Sequence, residues 1–357
     1  RVDDRDAAWP LRPWLIAAIC AVAGVALQAV LDFDFERTPA RWAMIGATFI
    51  SVATVAFVLT LEQRRWWWSA LFALAWGGVT ALVGVSTSQS YHNPTLFEWP
   101  FLAGIFAVLL AAPLFQAARD EGAWRFPPLR AHTHAWTDAV IGAASLLFVL
   151  IAFALAWLIA GLFNLIGITA LVTLLKQAWF GFALAGFAFG AGIGLLRERD
   201  GLVATMQRLV MVVLGVLAPV LAAALLLFLV SLPLTGLAGL WNGALSAAAL
   251  MLVAGAGAFL LINAAIGHGD EARDPHPVLH WAALLLALVV LPLAGLAMAA
   301  MMLRVGQYGW TPERMWGVLS AGVAIAYGLA GWWAVIHGRT GFAPILRVLQ
   351  VRLALVV

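Results

Sequence analysis

Two arginines and a tyrosine lie close together in "RVGQYGWTPERMWG", Arg304–Gly317, between two long apolar runs. Guanidinium groups bind phosphate and carboxylate through paired hydrogen bonds, so Arg304, Tyr308 and Arg314 are candidates for a small-anion or lipid-headgroup site. The alternative to a binding site is a structural role for the two arginines. Arg304 would then pair with Glu313 or with a helix C-terminal carbonyl, and both arginines would lie at the level of the lipid phosphates.

The same segment carries the pattern of a turn followed by a helix start. Gly306 and Gly309 supply conformational freedom. Thr311 is a good N-cap, Pro312 suits the first helical position, and Glu313 favours the positive end of the helix dipole. The pattern predicts that a helix begins at this point.

Acidic residues form a second group that could do chemistry: Asp32, Asp34, Glu36 and Glu98. An intramembrane transferase would need at least two of these carboxylates to converge on one substrate atom. The sequence contains no Gly-rich phosphate loop, no G-x-S-x-G elbow and no HExxH pair. We therefore assign no catalytic residue, although the transferase hypothesis stays open.

Histidines occur in two stretches, His132-x-His134 near Asp138 and "GHGDEARDPHPVLH" with His268, His276 and His280. Neither has a compact zinc spacing. Turn-forming Gly, Asp and Pro residues fill the second stretch. We predict that both are solvated connecting loops, without a metal or a cofactor.

The elements that must position these residues are membrane spans. Of the 357 residues, 64% are hydrophobic and 10% are charged, far from the composition of soluble domains. Runs of 18 or more apolar residues can cross about 30 Å of hydrocarbon as helices, whereas barrel strands would show short alternating segments. Ten such runs predict an all-α polytopic bundle: Trp14–Leu31, Trp42–Leu61, Trp66–Val85, Trp99–Gln116, Ala139–Ala160, Ala178–Leu196, Leu209–Val230, Leu245–Gly267, Trp281–Met302 and Trp316–Ile336.

The spans follow one another without room for a soluble domain. We expect one transmembrane domain over 1–357, with the first four spans in 14–116 and the last six in 139–336. The chain begins without methionine and stops in the apolar run "VRLALVV", so we expect the natural protein to extend past at least one end.

Basic residues predict the orientation. Fifteen of the 20 Lys and Arg residues fall on the side of the N-terminus when the loops are assigned alternately. The positive-inside rule then places both termini in the cytoplasm and the Arg304–Gly317 turn on the outer face. Tryptophans and a lysine at span ends are expected as interfacial anchors, namely Trp66, Trp67, Trp68, Lys176 and Trp316.

Lys176 belongs to a stretch that is not a simple span. Leu171, Leu174, Leu175 and Ala178 share one helical face opposite Lys176, which predicts a short amphipathic helix in the outer interface. Alternatively, the sixth span starts early and Lys176 extends its charge outward.

Small and polar residues inside the spans suggest packing more than chemistry. Gly186, Gly190 and Gly194 are spaced to let two helix backbones approach closely. Pro219 and Pro292 are expected to bend their helices. No ionisable residue lies at mid-span, and the mild polar residues there are expected to form helix–helix hydrogen bonds: Gln28, Asn164, Asn263 and Tyr327.

Three segments together resemble a bacterial family of polytopic inner-membrane proteins known only as a domain of unknown function. They are the Y-G-x-T-P-x-R segment from Tyr308 to Arg314, "LFNLIGI" at Leu162–Ile168 and "LLINAA" at Leu260–Ala265. The resemblance runs from about Ala139 to the C-terminus. It implies a bacterial inner-membrane location and a somewhat longer chain, and it supplies no activity.

Function is therefore a choice among three hypotheses. The favoured one is a non-catalytic accessory or scaffold subunit that packs with other membrane proteins. The second is a protein that binds or moves a lipid or another amphiphile through the outer arginine turn. The third is the transferase described above. A formal net charge of +3 does not indicate nucleic-acid binding.

Overall fold

The computed structural model describes residues 11–32, 40–62, 65–87, 95–235, 247–267, 277–338 and 341–357. These ranges contain twelve helices and no strand, which confirms the all-α prediction. In chain order they are α1 (Arg12–Leu31), α2 (Ala40–Thr60), α3 (Trp66–Thr87), α4 (Thr95–Glu121), α5 (Pro128–Leu165), α6 (Ala170–Leu175), α7 (Ala178–Arg197), α8 (Asp200–Thr235), α9 (Ala247–Ala265), α10 (Pro277–Tyr308), α11 (Pro312–His337) and α12 (Phe342–Ala354).

Ten of the described helices are long and apolar enough to cross a membrane, and they correspond to the ten predicted runs. Such helices satisfy their backbone hydrogen bonds internally, which hydrocarbon requires. The protein is a multi-pass integral membrane protein whose spans contact the bilayer. Pro219 and Pro292 lie inside the continuous helices α8 and α10, and the bends expected there stay predictions.

Helix α5 is longer than its apolar run. It has 38 residues and starts at Pro128, well before the predicted start at Ala139. His132 and His134 consequently lie in a helix, and the prediction of a solvated loop there was wrong. The physical reason is that Pro128 suits a first helical position and that no Gly or further Pro occurs in residues 129–138.

The chain contacts divide the protein into two compact units. Unit 1 comprises residues 1–120 and 134–206, and unit 2 comprises 121–133 and 207–357. Both are built from spans, and the single transmembrane domain inferred from the sequence stays a prediction.

Unit 1 is centred on α1 and α2. Helix α1 packs against α7 and α2, and α2 packs against α3. One apolar cluster joins Ile16, Val58, Ile141 and Ile193, and a second surrounds Val52.

Unit 2 is centred on α10, which packs against α9 and α11. Its core is a single large cluster that includes Met251, Leu286 and Leu293. Helix α12 joins this core through Phe342 and Leu346, each 3% exposed.

Two helices are too short to span. Helix α6 is separated from α7 by Gln177, whose backbone is extended, so the predicted short helix before the sixth span is confirmed and an early start of that span was wrong. Its position at the membrane interface stays a prediction. Helix α12 was not predicted, because its 13 residues mix arginines with apolar residues and contain no long apolar run.

Candidate functional site

The turn between α10 and α11 begins where α10 ends at Tyr308. Gly309 has a positive φ of 76°, a conformation that favours glycine, and its N–H donates to the Val305 carbonyl over 2.8 Å. Gly306 lies within α10 and needs no such freedom. Of the two glycines predicted to shape the turn, Gly309 alone does so.

The start of α11 agrees with its sequence pattern. Thr311 has an extended backbone, and its side-chain oxygen accepts a hydrogen bond from the Arg314 N–H over 3.4 Å. Pro312 is the first helical residue and Glu313 lies in the first turn. The predicted N-cap is confirmed.

Arg314 folds back over the turn. Its Nη1 donates to the Tyr308 carbonyl over 3.0 Å and to the Gly309 carbonyl over 2.6 Å. The guanidinium carbon lies 5.4 Å from the centre of the Tyr308 ring, and Tyr308 is 72% exposed. Arg314 therefore covers the end of α10, a role that the sequence suggested for Arg304. Arg304 itself is half-buried one turn before Tyr308.

The proposed interfacial anchors lie at helix ends. Trp66 and Trp67 are about half exposed, and the Trp67 and Trp68 rings stack with centres 4.3 Å apart. Lys176 is exposed directly after α6, and Trp316 is half-buried in the first turns of α11. Their place in the headgroup region stays a prediction.

The three spaced glycines of α7 lie against the backbone of α1. A Cβ at Gly190 would come within 2.6 Å of the Ile16 carbonyl oxygen, and one at Gly186 or Gly194 would also overlap α1 backbone, at Cys20 and Pro13 respectively. These glycines occupy a close approach between the two helices.

Several other candidates fall outside the described residues. Asp34, Glu36, His268 and His276 do, and so does the side chain of Glu98. Asp32 is exposed after the last turn of α1, and His280 is half-buried in α10. The convergence of acids that the transferase hypothesis requires stays a prediction.

The polar residues inside the spans behave differently from one another. Asn263 donates to the Phe259 carbonyl of its own helix over 2.8 Å, so the expected helix–helix bond was wrong for its amide group. Tyr327 of α11 contacts the Phe259 ring of α9 with ring centres 5.0 Å apart. Asn164 is exposed and Gln28 is buried.

The C-terminal end of α2 carries an arrangement that the sequence did not predict. The last carbonyls of a helix lack intrahelical donors. Here side chains from α1, α3, α4 and α7 supply them. Ser69 of α3 donates to the Thr60 carbonyl over 2.6 Å, and we call the four longer side chains the α2 cap. They are Arg197 on the Val58 carbonyl (2.7 Å), Gln116 on Leu59 (2.8 Å), Arg119 on Thr60 (2.6 Å) and Arg12 on Leu61 (3.0 Å).

Carboxylates balance the charge of the α2 cap. Arg119 Nε lies 2.9 Å from Glu62 Oε2, and Arg12 Nη1 lies 3.7 Å from Glu198 Oε1. Gln116 also donates to Asp138 Oδ2 over 2.9 Å, which joins the start of α5 to the group. Gln116 and Asp138 are 1% and 5% exposed.

The donors of the α2 cap point at the chain's own carbonyls and carboxylates. Positive charge at a helix C-terminus is favourable, and each carbonyl is satisfied in a place where an unpaired one would be costly. We therefore infer that the α2 cap holds helices α1, α2, α4 and α7 together, and we do not interpret it as a ligand site. The signals in the sequence were Asp138, which precedes an apolar run, and Gln116, which ends one. The sequence did not show that these two side chains contact each other or that Gln116 binds a carbonyl of α2.

A smaller version occurs in unit 2. Arg347 of α12 donates through Nη2 to the carbonyls of Ile266 and Gly267, 3.2 Å and 2.7 Å away, at the end of α9. Partial burial lowers the pKa of Arg347. Among the described residues no group of three His, Cys, Asp or Glu side chains could hold a metal ion.

No family model matches the chain, and neither the curated proteins nor the solved structures give a significant match.

Proposed function

We propose that the protein is a non-catalytic accessory or scaffold subunit of a bacterial inner membrane, and that it belongs to the uncharacterised family that its Y-G-x-T-P-x-R segment resembles. Its partners would be other membrane proteins that pack against its spans.

The exposure of the C-terminal part of α5, Leu146–Leu165, supports this proposal. Asp138 and Ser145 in the first half of α5 are buried. From Leu146 to Leu165, however, the single buried residue is Ala160. In the most apolar stretch of α5, 6% of residues are buried, against 22–50% in the other nine candidate spans. The exposed segment, about 30 Å long at 1.5 Å per residue, is sufficient to cross the hydrocarbon.

A helix with so few intrachain contacts presents a long surface to a partner span. Association between spans depends on the fit of side chains, since lipid tails are as apolar as leucine. Leu146, Leu150 and Leu158 are each 60–67% exposed on this surface. Replacing these three leucines with alanine would change the shape of the surface without changing its polarity.

Purification in nanodiscs followed by native mass spectrometry tests the scaffold function. We expect a stoichiometric membrane-protein partner with the wild type, and its loss from Leu146→Ala/Leu150→Ala/Leu158→Ala. The matched control is Val212→Ala/Val216→Ala/Val220→Ala on α8, where the three side chains are 59–66% exposed. A wild type that carries no stoichiometric partner would contradict the proposal.

A second candidate is binding of an anionic amphiphile at Arg304, Tyr308 and Arg314. It is supported by Arg314, which uses Nη1 on two carbonyls and makes no hydrogen bond through Nη2 to the described residues. That leaves donors beside the exposed Tyr308 ring. Native mass spectrometry of Arg304→Ala/Arg314→Ala should then show the loss of a specific anionic lipid, and its retention would exclude this site.

A further inference from the structure

A shallow groove lies between the end of α11 and α12 in unit 2. Its volume is about 300 Å³, and it is lined by Trp333, Pro344, Ile345, Val348, Leu349 and Arg352. All but one of the lining residues are apolar, and the exception is a cation.

Helix α12 presents two different stripes. Phe342, Leu346 and Gln350 are buried. Ile345, Val348 with Leu349, and Arg352 recur at intervals of three, four and seven residues and line the groove instead. This second stripe is apolar for two turns and ends in a guanidinium group.

Arg352 differs from its neighbour Arg347. Arg347 binds two carbonyls at the end of α9. Arg352 is exposed and makes no ion pair or hydrogen bond within the part of the chain that the structure describes. Trp333, 56% exposed, lines the groove with it and stacks on His337 with ring centres 4.0 Å apart.

We infer that this groove binds an anionic phospholipid of the bilayer, with one acyl chain along Ile345 and Leu349 and the phosphate on Arg352. An amphipathic helix of this kind lies in the membrane interface, where acyl chains and phosphates are both within reach. A guanidinium group can contact two phosphate oxygens at once. The inference is independent of the scaffold function and concerns a different place from the Arg304–Gly317 turn.

The size of the groove argues for a lipid chain over a protein segment. A volume of 300 Å³ is at the lower end of ligand pockets. A groove of this volume accommodates part of one acyl chain. A helix of a second copy or of another protein has a diameter of about 10–12 Å with its side chains, which is too wide to enter it.

The test is a titration of the purified full chain with phosphatidylglycerol or phosphatidylcholine in detergent, read by native mass spectrometry. Arg352→Gln removes the cation, and Leu349→Trp fills the groove. Arg125→Gln is the matched control, because Arg125 is exposed in the connection between α4 and α5. Thermal unfolding of each variant identifies any that does not fold.

We expect the wild type to prefer phosphatidylglycerol and Arg352→Gln to bind it roughly tenfold more weakly, as the loss of a charged hydrogen bond allows. Leu349→Trp should weaken binding of both lipids, and Arg125→Gln should bind like the wild type. Wild-type binding by folded Arg352→Gln would overturn the inference. A wild-type dimer that Leu349→Trp converts to a monomer would also overturn it, because the occupant would then be a second copy.

Discussion

Gly190 illustrates how much a single atom decides at the residue scale. Its missing Cβ lets α7 approach α1, since an added Cβ would come within 2.6 Å of the Ile16 carbonyl oxygen and 2.8 Å of the Ala17 Cα. Both neighbours are backbone atoms, which cannot turn aside as a flexible side chain can. Close contact of this kind is how spans associate without a hydrophobic driving force.

We predict that Gly190→Ala lowers the thermal unfolding midpoint in detergent, with a cost of about 1–3 kcal/mol from overpacking. The matched control is Gly181→Ala in the same helix, where an added Cβ meets nothing within 4 Å. That variant should be neutral or slightly stabilising, because alanine favours the helix over glycine. Equal midpoints for the two variants would show that the α1–α7 approach is not tight.

At this scale, the local patterns were readable from the sequence and the distant partners were not. The cap at Thr311 and the turn at Gly309 depend on neighbours within six positions. Arg12, Arg119 and Arg197 each lie at a span end, and from the sequence they were counted only among the basic residues on the side of the N-terminus. Their common partner is a set of backbone carbonyls, which every residue has, so no residue type marks it.

At the scale of an element, the C-terminal end of α2 is hydrogen-bonded by side chains from several other helices. Arg119 donates to the Thr60 carbonyl over 2.6 Å and pairs with Glu62, and its side chain is 10% exposed. Removing it takes the cation from Glu62 and leaves Ser69, 2.6 Å away, as the remaining side-chain donor to the Thr60 carbonyl.

We predict that Arg119→Leu destabilises the protein by about 1.5–3 kcal/mol, the range for losing hydrogen bonds of a charged group. Chemical or thermal unfolding in detergent measures it. Arg125→Leu is the control, since it removes the same charge from an exposed position outside the α2 cap. If both variants unfold at the same midpoint, the cap does not contribute to stability.

The lengths of the elements separate what an apolar run can and cannot reveal. An apolar run locates the part of a helix that lies in hydrocarbon. For α1, the predicted start was within two residues of the observed one. Such a run says nothing of polar extensions such as Pro128–Asp138 in α5, because these are stabilised by helix propensity and by packing. Helix α12 was missed for a related reason, since its buried residues repeat every four positions and two arginines lie between or beyond them.

For the whole molecule, the charge distribution predicts which loops share a side of the membrane. Trp124 lies in the connection before α5 and Trp310 in the turn before α11, and they are 77% and 60% exposed. Four spans precede Trp124 and nine precede Trp310, so the positive-inside rule places Trp124 in the cytoplasm and Trp310 outside.

Single cysteines test this orientation. In a Cys20→Ser background, a membrane-impermeant maleimide applied to intact cells should label Trp310→Cys and leave Trp124→Cys unlabelled. Both should react after solubilisation in detergent, which is the control for accessibility. Labelling of Trp124→Cys alone in intact cells would invert the topology, and the outer arginine turn would then face the cytoplasm.

The α2 cap also sets an order of events during synthesis. Arg197 reaches back 139 residues to the Val58 carbonyl, and Gln116 and Arg119 reach back 57 and 59 residues. At about 5–20 residues per second, Arg197 leaves the ribosome roughly 7–30 s after Val58. Until then the Val58 carbonyl lacks its Arg197 donor, so the complete set of α2-cap bonds forms only after α7 has been synthesised.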